Sequence, residues 1–530
     1  MKNVRLLHDI VKAAASAAPH DPALIFREAQ LDFSQLLVQV EQFAELLAGA
    51  GLAADERVAV YLPKQFETVV TIFGAAAAGG CIVPINPLLK PQQVGYILQN
   101  CNVRLLVTSG ERAAQLAEVV DDCHDLLRVI LTSPLPAGES PVRQQVDQWR
   151  DFLDGPTAPV HRRIDTDMAA ILYTSGSTGL PKGVVLSHRN MVAAAESTAE
   201  FLELRASDRL LAVLPLSFDY GLSQLTSAYS AGASVVLIDY LFPREVVKAV
   251  VRHRVTGLSA VPPIWNQLAV LDWPPEAAES MRYLTTSGGV SRKSTIVSLR
   301  EKLPNTRIFK MYGLTEAFRS SYLPPEEIDS RPESVGRAVP GARLAVVRED
   351  GSLCAPGEPG ELVHRGTLVA MGYWNDPART AERFRPAPGQ LAGIPITELA
   401  VWSGDQMKMD AEGYLYFVSR KDEMIKTSGY RVSPTEVEDV VFNSGLAAEA
   451  VAIGVPHPEL GQAIVLAVLP ADGKELQADQ IVEYCRRELP SYMVPAYVEV
   501  RDALPRNPNG KIDRLALQSE SKERFCVARD

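Results

Sequence analysis

The sequence predicts an α/β protein: a large, multi-subdomain amino-terminal body followed by a small α+β carboxyl-terminal domain. Three observations carry this expectation. Short apolar runs alternate with helix-like stretches through the first half of the chain, the character changes to short strands after Pro340-Gly341, and a separate helix-and-strand pattern follows a charged link at 419–423. At 530 residues the chain is also far longer than one hydrophobic core usually supports.

Taken in order, residues 57–61, 104–107, 127–131, 169–173 and 234–238 are apolar runs that read as strands, with helical patterns over 65–78, 92–100 and 192–201. Residues 68–89 lack charge and raise the question of a membrane span, but Gly79-Gly80, Pro84, Asn86 and Pro87 interrupt them. They read better as an Ala-rich buried helix and a strand over 81–84, joined by the glycine pair. Beyond Pro340-Gly341, residues 344–347, 360–363 and 414–418 read as short strands between Gly, Pro and Asp turns. The polar link Ser419-Arg420-Lys421-Asp422-Glu423 precedes a helix over 434–442, strands over 448–455 and 463–469, a helix over 478–487 and a strand over 496–499. The link sets the expected domains at 1–420 and 421–530. The alternation leaves strand order open, and no internal repeat is evident.

Composition narrows the function classes. Hydrophobic residues make up 47% and charged residues 22%, which supplies ample core and argues against a disordered or low-complexity polymer. With 53 Lys and Arg against 64 Asp and Glu, a formal charge of -11 and no long basic stretch, nucleic acid is not an expected partner. The six cysteines, at 81, 101, 123, 354, 485 and 526, form none of the close pairs that a zinc site or a dithiol centre needs. His8, Asp9 and Lys12 break the start of the chain before a secretory core develops. A cytoplasmic protein without a signal peptide or transmembrane segment is the expectation.

The segment richest in chemistry is Tyr173-Thr174-Ser175-Gly176-Ser177-Thr178-Gly179-Leu180-Pro181-Lys182-Gly183, directly after the apolar run 168–172. Its glycines permit close approach, its amides and hydroxyls can surround phosphate oxygens, and Lys182 can meet their charge. It lacks the usual P-loop spacing, because Leu180-Pro181 separate the lysine from the glycines and Gly183 follows it. In Met311-Tyr312-Gly313-Leu314-Thr315-Glu316 the aromatic face of Tyr312 can stack on a base. Thr315 can contact phosphate, and Glu316 can help bind a divalent ion. Ser403-Gly404-Asp405 offers a carboxylate for paired ribose hydroxyls, and Arg420 a cationic donor. Asn507-Pro508-Asn509-Gly510-Lys511 places a lysine just after a flexible turn near the chain end.

These segments, in this order and over nearly the whole chain to Arg514, resemble the adenylate-forming superfamily of acyl-CoA synthetases, luciferases and peptide-synthetase adenylation domains, the AMP-dependent synthetases and ligases. The resemblance implies a phosphate loop from Thr174 through Gly179 to Lys182, and an adenine and acyl-pocket segment at Thr285-Thr286-Ser287-Gly288-Gly289-Val290. It also implies nucleotide and magnesium contacts at Tyr312, Thr315 and Glu316, and ribose or nucleotide contacts at Asp405 and Arg420. Lys511 would orient the acid and the α-phosphate during adenylation. The small domain would then rotate about Asp422, presenting Lys426-Thr427-Ser428-Gly429-Tyr430-Arg431, with Gly429 passing the thiol arm and Arg431 near the thiol donor. ATP, Mg2+ and coenzyme A, or the phosphopantetheine of a separate carrier protein, are the implied cofactors.

Pro215-Leu216-Ser217-Phe218-Asp219-Tyr220-Gly221 departs from many fatty-acyl and aryl-CoA synthetases, which have histidine where this chain has Phe218. The Phe218-Asp219 pair looks more like amino-acid adenylation enzymes, in which case Asp219 could pair with a substrate ammonium. A helix-start or surface Asp219 is the competing reading. Two enzymatic readings therefore stand: an acyl-CoA ligase for a small or polar acid, and an aminoacyl ligase loading a separate carrier protein. A noncatalytic nucleotide-binding protein on this fold is a third, disfavoured by the presence of Lys511 and Glu316.

Overall fold

A computed structural model describes residues 4–136, 143–174, 180–239, 242–288, 293–391, 393–420, 424–471, 476–505, 512 and 514–526. Among these residues three sheets form, of 14, 8 and 5 strands. The two larger belong to the amino-terminal body. The smallest is built by residues after 424, as the separate pattern beyond the charged link predicts.

Apolar periodicity explains most elements. Arg57–Tyr61 and Cys81–Pro84 are strands, with Phe66–Ala78 between them buried from Thr68 to Ala78. That helix stops at Gly79, whose φ of 90° provides the left-handed cap expected of the glycine pair. Among the described residues no helix is long and apolar enough to cross a membrane. The runs at 104–107, 127–131, 169–173 and 234–238 match, to within a residue or so at each end, Val103–Thr108, Arg128–Leu131, Met168–Thr174 and Ser234–Leu237. The link differs from expectation at its start. The strand Leu415–Arg420 continues through Ser419 and Arg420, because backbone pairing with the long strand Leu399–Met409 extends as far as Asp405↔Arg420.

Strand direction decides where a site can form. Arg209–Ala212, Gly257–Ala260, Tyr283–Thr286 and Arg307–Tyr312 run parallel side by side in the largest sheet. Cys81–Pro84 and Met168–Thr174 run parallel in the second. Ligands of such sheets bind beyond the carboxyl ends of the strands. Here those ends lead into Ser217 to Tyr220, Ser287-Gly288, Gly313 to Glu316, Ile85-Asn86 and Thr174, all of which line one cleft.

Candidate active site

The cleft encloses about 1520 Å3 including its open mouth. Of the residues singled out from sequence, Thr174, Lys182, Phe218, Asp219, Tyr220, Gly288, Thr315, Glu316, Gly429 and Arg431 line it together. Ser175, Gly176, Ser177, Thr178, Gly179, Gly289, Asp422 and Lys511 lie outside the described residues, as does the side chain of Arg420.

One end of the cleft is built around Glu316. Lys182 opens the strand Lys182–Ser187, antiparallel to Met168–Thr174, and the register sets it opposite Thr174. Lys182 Nζ donates to Glu316 Oε1 at 3.0 Å and to the Tyr373 hydroxyl at 2.9 Å, while that hydroxyl donates to the same Glu316 oxygen at 2.6 Å. Burial pushes the Glu316 carboxyl upward, but Lys182 and the Tyr373 hydrogen bond outweigh it and hold the group well below the usual carboxylate range. Thr174 Oγ1 is buried without a hydrogen-bond partner among the described residues, as an acceptor-rich phosphate would require. Glu316 Oε2 makes no hydrogen bond among them, and no cluster of three or more metal-ligating side chains surrounds it. A carboxylate oxygen outside any cluster of three or more metal-ligating side chains among the described residues suits Mg2+, which usually takes one or two carboxylates and completes its shell with phosphate and water.

Gly313 is needed for close approach: a Cβ there would lie 2.7 Å from the carbonyl oxygen of Phe318 and 3.1 Å from Cα of Arg319. Tyr312 and Asp405 are buried and joined to each other, hydroxyl to Oδ2 at 2.5 Å, while their neighbours Gly313 and Ser403 line the cleft. Arg420 stands opposite Asp405 by backbone register.

The acid-pocket candidates sit on the far side. Asp219 is both the first residue of the helix Asp219–Ser230 and a cleft-lining group, so the helix-start reading and the pocket reading coincide. Its Oδ1 accepts the Tyr220 amide at 2.8 Å. Burial pushes its carboxyl up; Arg319, the Tyr220 amide and Arg431 oppose this without reversing it. The Tyr220 hydroxyl, 2.5 Å from Thr285 Oγ1, is pushed up to about 12 by burial.

The small domain reaches the cleft through a hairpin. Strands Ile425–Thr427 and Tyr430–Val432 pair Thr427 with Tyr430, leaving the two-residue loop Ser428-Gly429. Both loop residues have positive φ, 51° and 83°, the requirement of a tight hairpin turn matched to strand twist. The loop tip meets the large body: a Cβ on Gly288 would lie 3.8 Å from the Gly429 carbonyl oxygen, and one on Gly429 only 2.6 Å from Val261 Cγ2. Nearby, Gln93 Nε2 donates to Glu436 Oε1 at 3.0 Å, and the rings of Tyr430 and Tyr492 stack with centroids 3.8 Å apart.

Residues 11–374 match the family of AMP-binding enzymes, and 436–511 match the AMP-binding enzyme C-terminal domain. The chain belongs to the AMP-binding enzyme family. It is an ATP-dependent, AMP-forming ligase. The long-chain-fatty-acid–CoA ligase of Salmonella typhimurium is 30% identical over 97% of this chain and 94% of that protein. Bacitracin synthase 3 of Bacillus licheniformis is 29% identical over 98% of this chain, which spans 8% of that synthase. The o-succinylbenzoate CoA synthetase of Bacillus subtilis, as a double mutant bound with its product analogue OSB-NCoA, aligns with a TM-score of 0.82 at 26% identity, covering 96% of this chain and 97% of that one. The same synthetase in complex with AMP aligns at 0.67 and 25% identity, over 96% and 98%.

Sequence reasoning missed Tyr373 and Arg319. Tyr373 stands 57 residues beyond Glu316 and is delivered by the pairing of Gly372–Tyr373 with Val184 and Val185. Arg319, three positions after Glu316, reads in sequence as an ordinary turn arginine. Only its burial distinguishes it.

Proposed function

We propose that this chain adenylates a small or polar carboxylic acid with ATP and passes the acyl group to the thiol of coenzyme A. The observation that carries this reading is the hairpin tip at Gly429 lying against Gly288 in the cleft that Lys182 and Glu316 also line. Phosphate-handling groups and a candidate thiol passage thereby share one chamber.

In the first half-reaction an oxygen of the acid's carboxylate attacks the α-phosphorus of ATP, the bond to the bridging oxygen breaks, and pyrophosphate leaves. Thr174 and Lys182 hold phosphate oxygens, Tyr312 and Asp405 serve base and ribose, and Lys511 orients acid and α-phosphate. Glu316 would hold a magnesium ion, which when bound supplies neutralisation of phosphate charge. In the second half-reaction the thiol loses its proton, its sulfur attacks the acyl carbon, and AMP leaves with the electron pair of the broken acyl–oxygen bond. The two domains are taken as 1–420 and 421–530, turning about Asp422 between the steps. The better likeness to the product-analogue form of the B. subtilis synthetase than to its AMP form supports reading the present arrangement as the thiol-transfer stage.

Asp219 favours a second reading, in which the acid is an amino acid and the thiol belongs to a separate carrier protein. A buried carboxylate facing an acid pocket is suited to an ammonium. Both readings are tested by magnesium-dependent ATP–pyrophosphate exchange across a panel of simple acids and amino acids. Formation of AMP and pyrophosphate is expected, and release of ADP and phosphate would refute the mechanism. Lys511→Ala should impair exchange far more than conversion of preformed acyl adenylate to thioester, and equal losses would remove Lys511 from its role.

A further inference from the structure

Opposite Asp219 the cleft carries a charge that the mechanism above does not use. Arg319 is 3% exposed and lines the cleft, yet its side chain makes no hydrogen bond or ion pair among the described residues, and its Nε is buried without a partner. Its guanidinium rests 4.6 Å from the centroid of the Tyr220 ring. Such a contact offsets only part of what it costs to take an ion out of water. Asp219 is 7% exposed, and among the described residues its only hydrogen bond comes from the amide of its neighbour Tyr220. The two charges influence each other only at Coulombic range, without a hydrogen bond between them.

The backbone around Arg319 is itself unusual. Phe318 has φ 58° and ψ -68°, and the Arg319 amide donates to the Ala317 carbonyl oxygen at 2.6 Å, a three-residue γ-turn that only a few sites sustain. Strain of this kind persists where surrounding structure enforces it, commonly at ligand sites. Gly313 leaves room for it, as described above. The turn carries the chain directly from Glu316 at the phosphate end to Arg319 on the acid wall.

We propose that Arg319 recognises a second anionic group on the acid and that, with Asp219 taking an ammonium, the substrate is a dicarboxylic amino acid. This rests on the acid-activating reading of the same cleft. A buried cation and a buried anion, each short of partners and not bonded to each other, together complement a substrate that brings both opposite charges. Glu316 and Arg431 also act on Asp219, but Glu316 is already engaged by Lys182 and Tyr373.

The test uses the full-length enzyme and two matched pairs, aspartate with asparagine and glutamate with glutamine. Binding of their non-hydrolysable aminoacyl-sulfamoyl adenosines is measured by calorimetry, and the free acids are compared in pyrophosphate exchange. For at least one pair the carboxylate member should bind about 100-fold more tightly than its amide, the scale of a buried charge pair broken on one side. Arg319→Gln should reduce that ratio to near unity, and Arg319→Lys should retain part of it. Equal binding within both pairs, failure of all four analogues to bind, or an unchanged ratio in Arg319→Gln overturns the proposal. Discrimination among the analogues without pyrophosphate exchange would sink the ligase reading while leaving Arg319 in its role. Exchange with neutral acids alone would do the reverse.

Discussion

Replacing Gly429 with alanine perturbs a contact that exists only while the small domain is seated as described. The new Cβ would stand 2.6, 2.8 and 2.9 Å from Cγ2, Cγ1 and Cβ of Val261, closer than packed carbons tolerate. Two costs follow, and they separate. At φ 83° alanine is strained by about 1–2 kcal/mol wherever the small domain lies, because the hairpin turn itself demands that backbone. The collision belongs to this arrangement alone, since Val261 caps a helix of the large body, and overpacking of this kind costs about 1–3 kcal/mol. At about 1.36 kcal/mol per decade, thiol transfer should fall by about 5- to 150-fold while pyrophosphate exchange changes little. The assay is single-turnover conversion of preformed acyl adenylate to thioester, run beside exchange. A double variant with Val261→Ala removes the two nearest atoms and should recover part of the loss. Equal losses in both half-reactions, or no recovery in the double variant, would refute the argument that this contact gates the second step.

Tyr373→Phe removes the hydroxyl shared by Glu316 and Lys182; with hydrogen bonds to charged groups worth about 1.5–3 kcal/mol, exchange should drop by about 10- to 150-fold, and an unchanged rate would show that Lys182 alone positions Glu316. Glu436 is pushed up to about 7 by burial, only partly opposed by its hydrogen bond from Gln93. A raised carboxyl pKa means that this arrangement holds a proton that an exposed Glu436 would release. The seated domain is therefore favoured on the acid side and weakened as pH rises from the ordinary carboxylate range through about 7. A fluorescence distance reporter between the two domains should show this transition in the wild type and lose it in Glu436→Gln, and an identical pH profile in both would exclude Glu436 as its source.

Much of the fold was legible because it is local. Apolar runs with turn residues at their ends located Arg57–Tyr61, Cys81–Pro84 and the helix Pro434–Asn443 to within a residue or so, since burial of both faces or of one face leaves a periodic trace. The strand Lys182–Ser187 escaped notice because its apolar run is short and begins inside the glycine-rich segment. Strand order left no trace: neighbours such as Cys81–Pro84 and Met168–Thr174 are joined by register between distant segments.

By itself the sequence pointed to the chemistry of the ligase, because its motifs, in their order along nearly the whole chain, resemble those of the adenylate-forming superfamily. Lys182, Glu316 and Asp219 could be chosen without coordinates. What only the tertiary structure decided is which of those groups share a charge and which are left without one. Lys182 and Glu316 are 134 positions apart, yet they meet at 3.0 Å with Tyr373 between them, so their charges are already matched. Asp219 and Arg319 face one cleft unbonded, which turns two ordinary polar residues into a candidate specificity pair. The physical reason is desolvation: a charge means little in a sequence, and its cost and use appear only once the fold has removed water from around it.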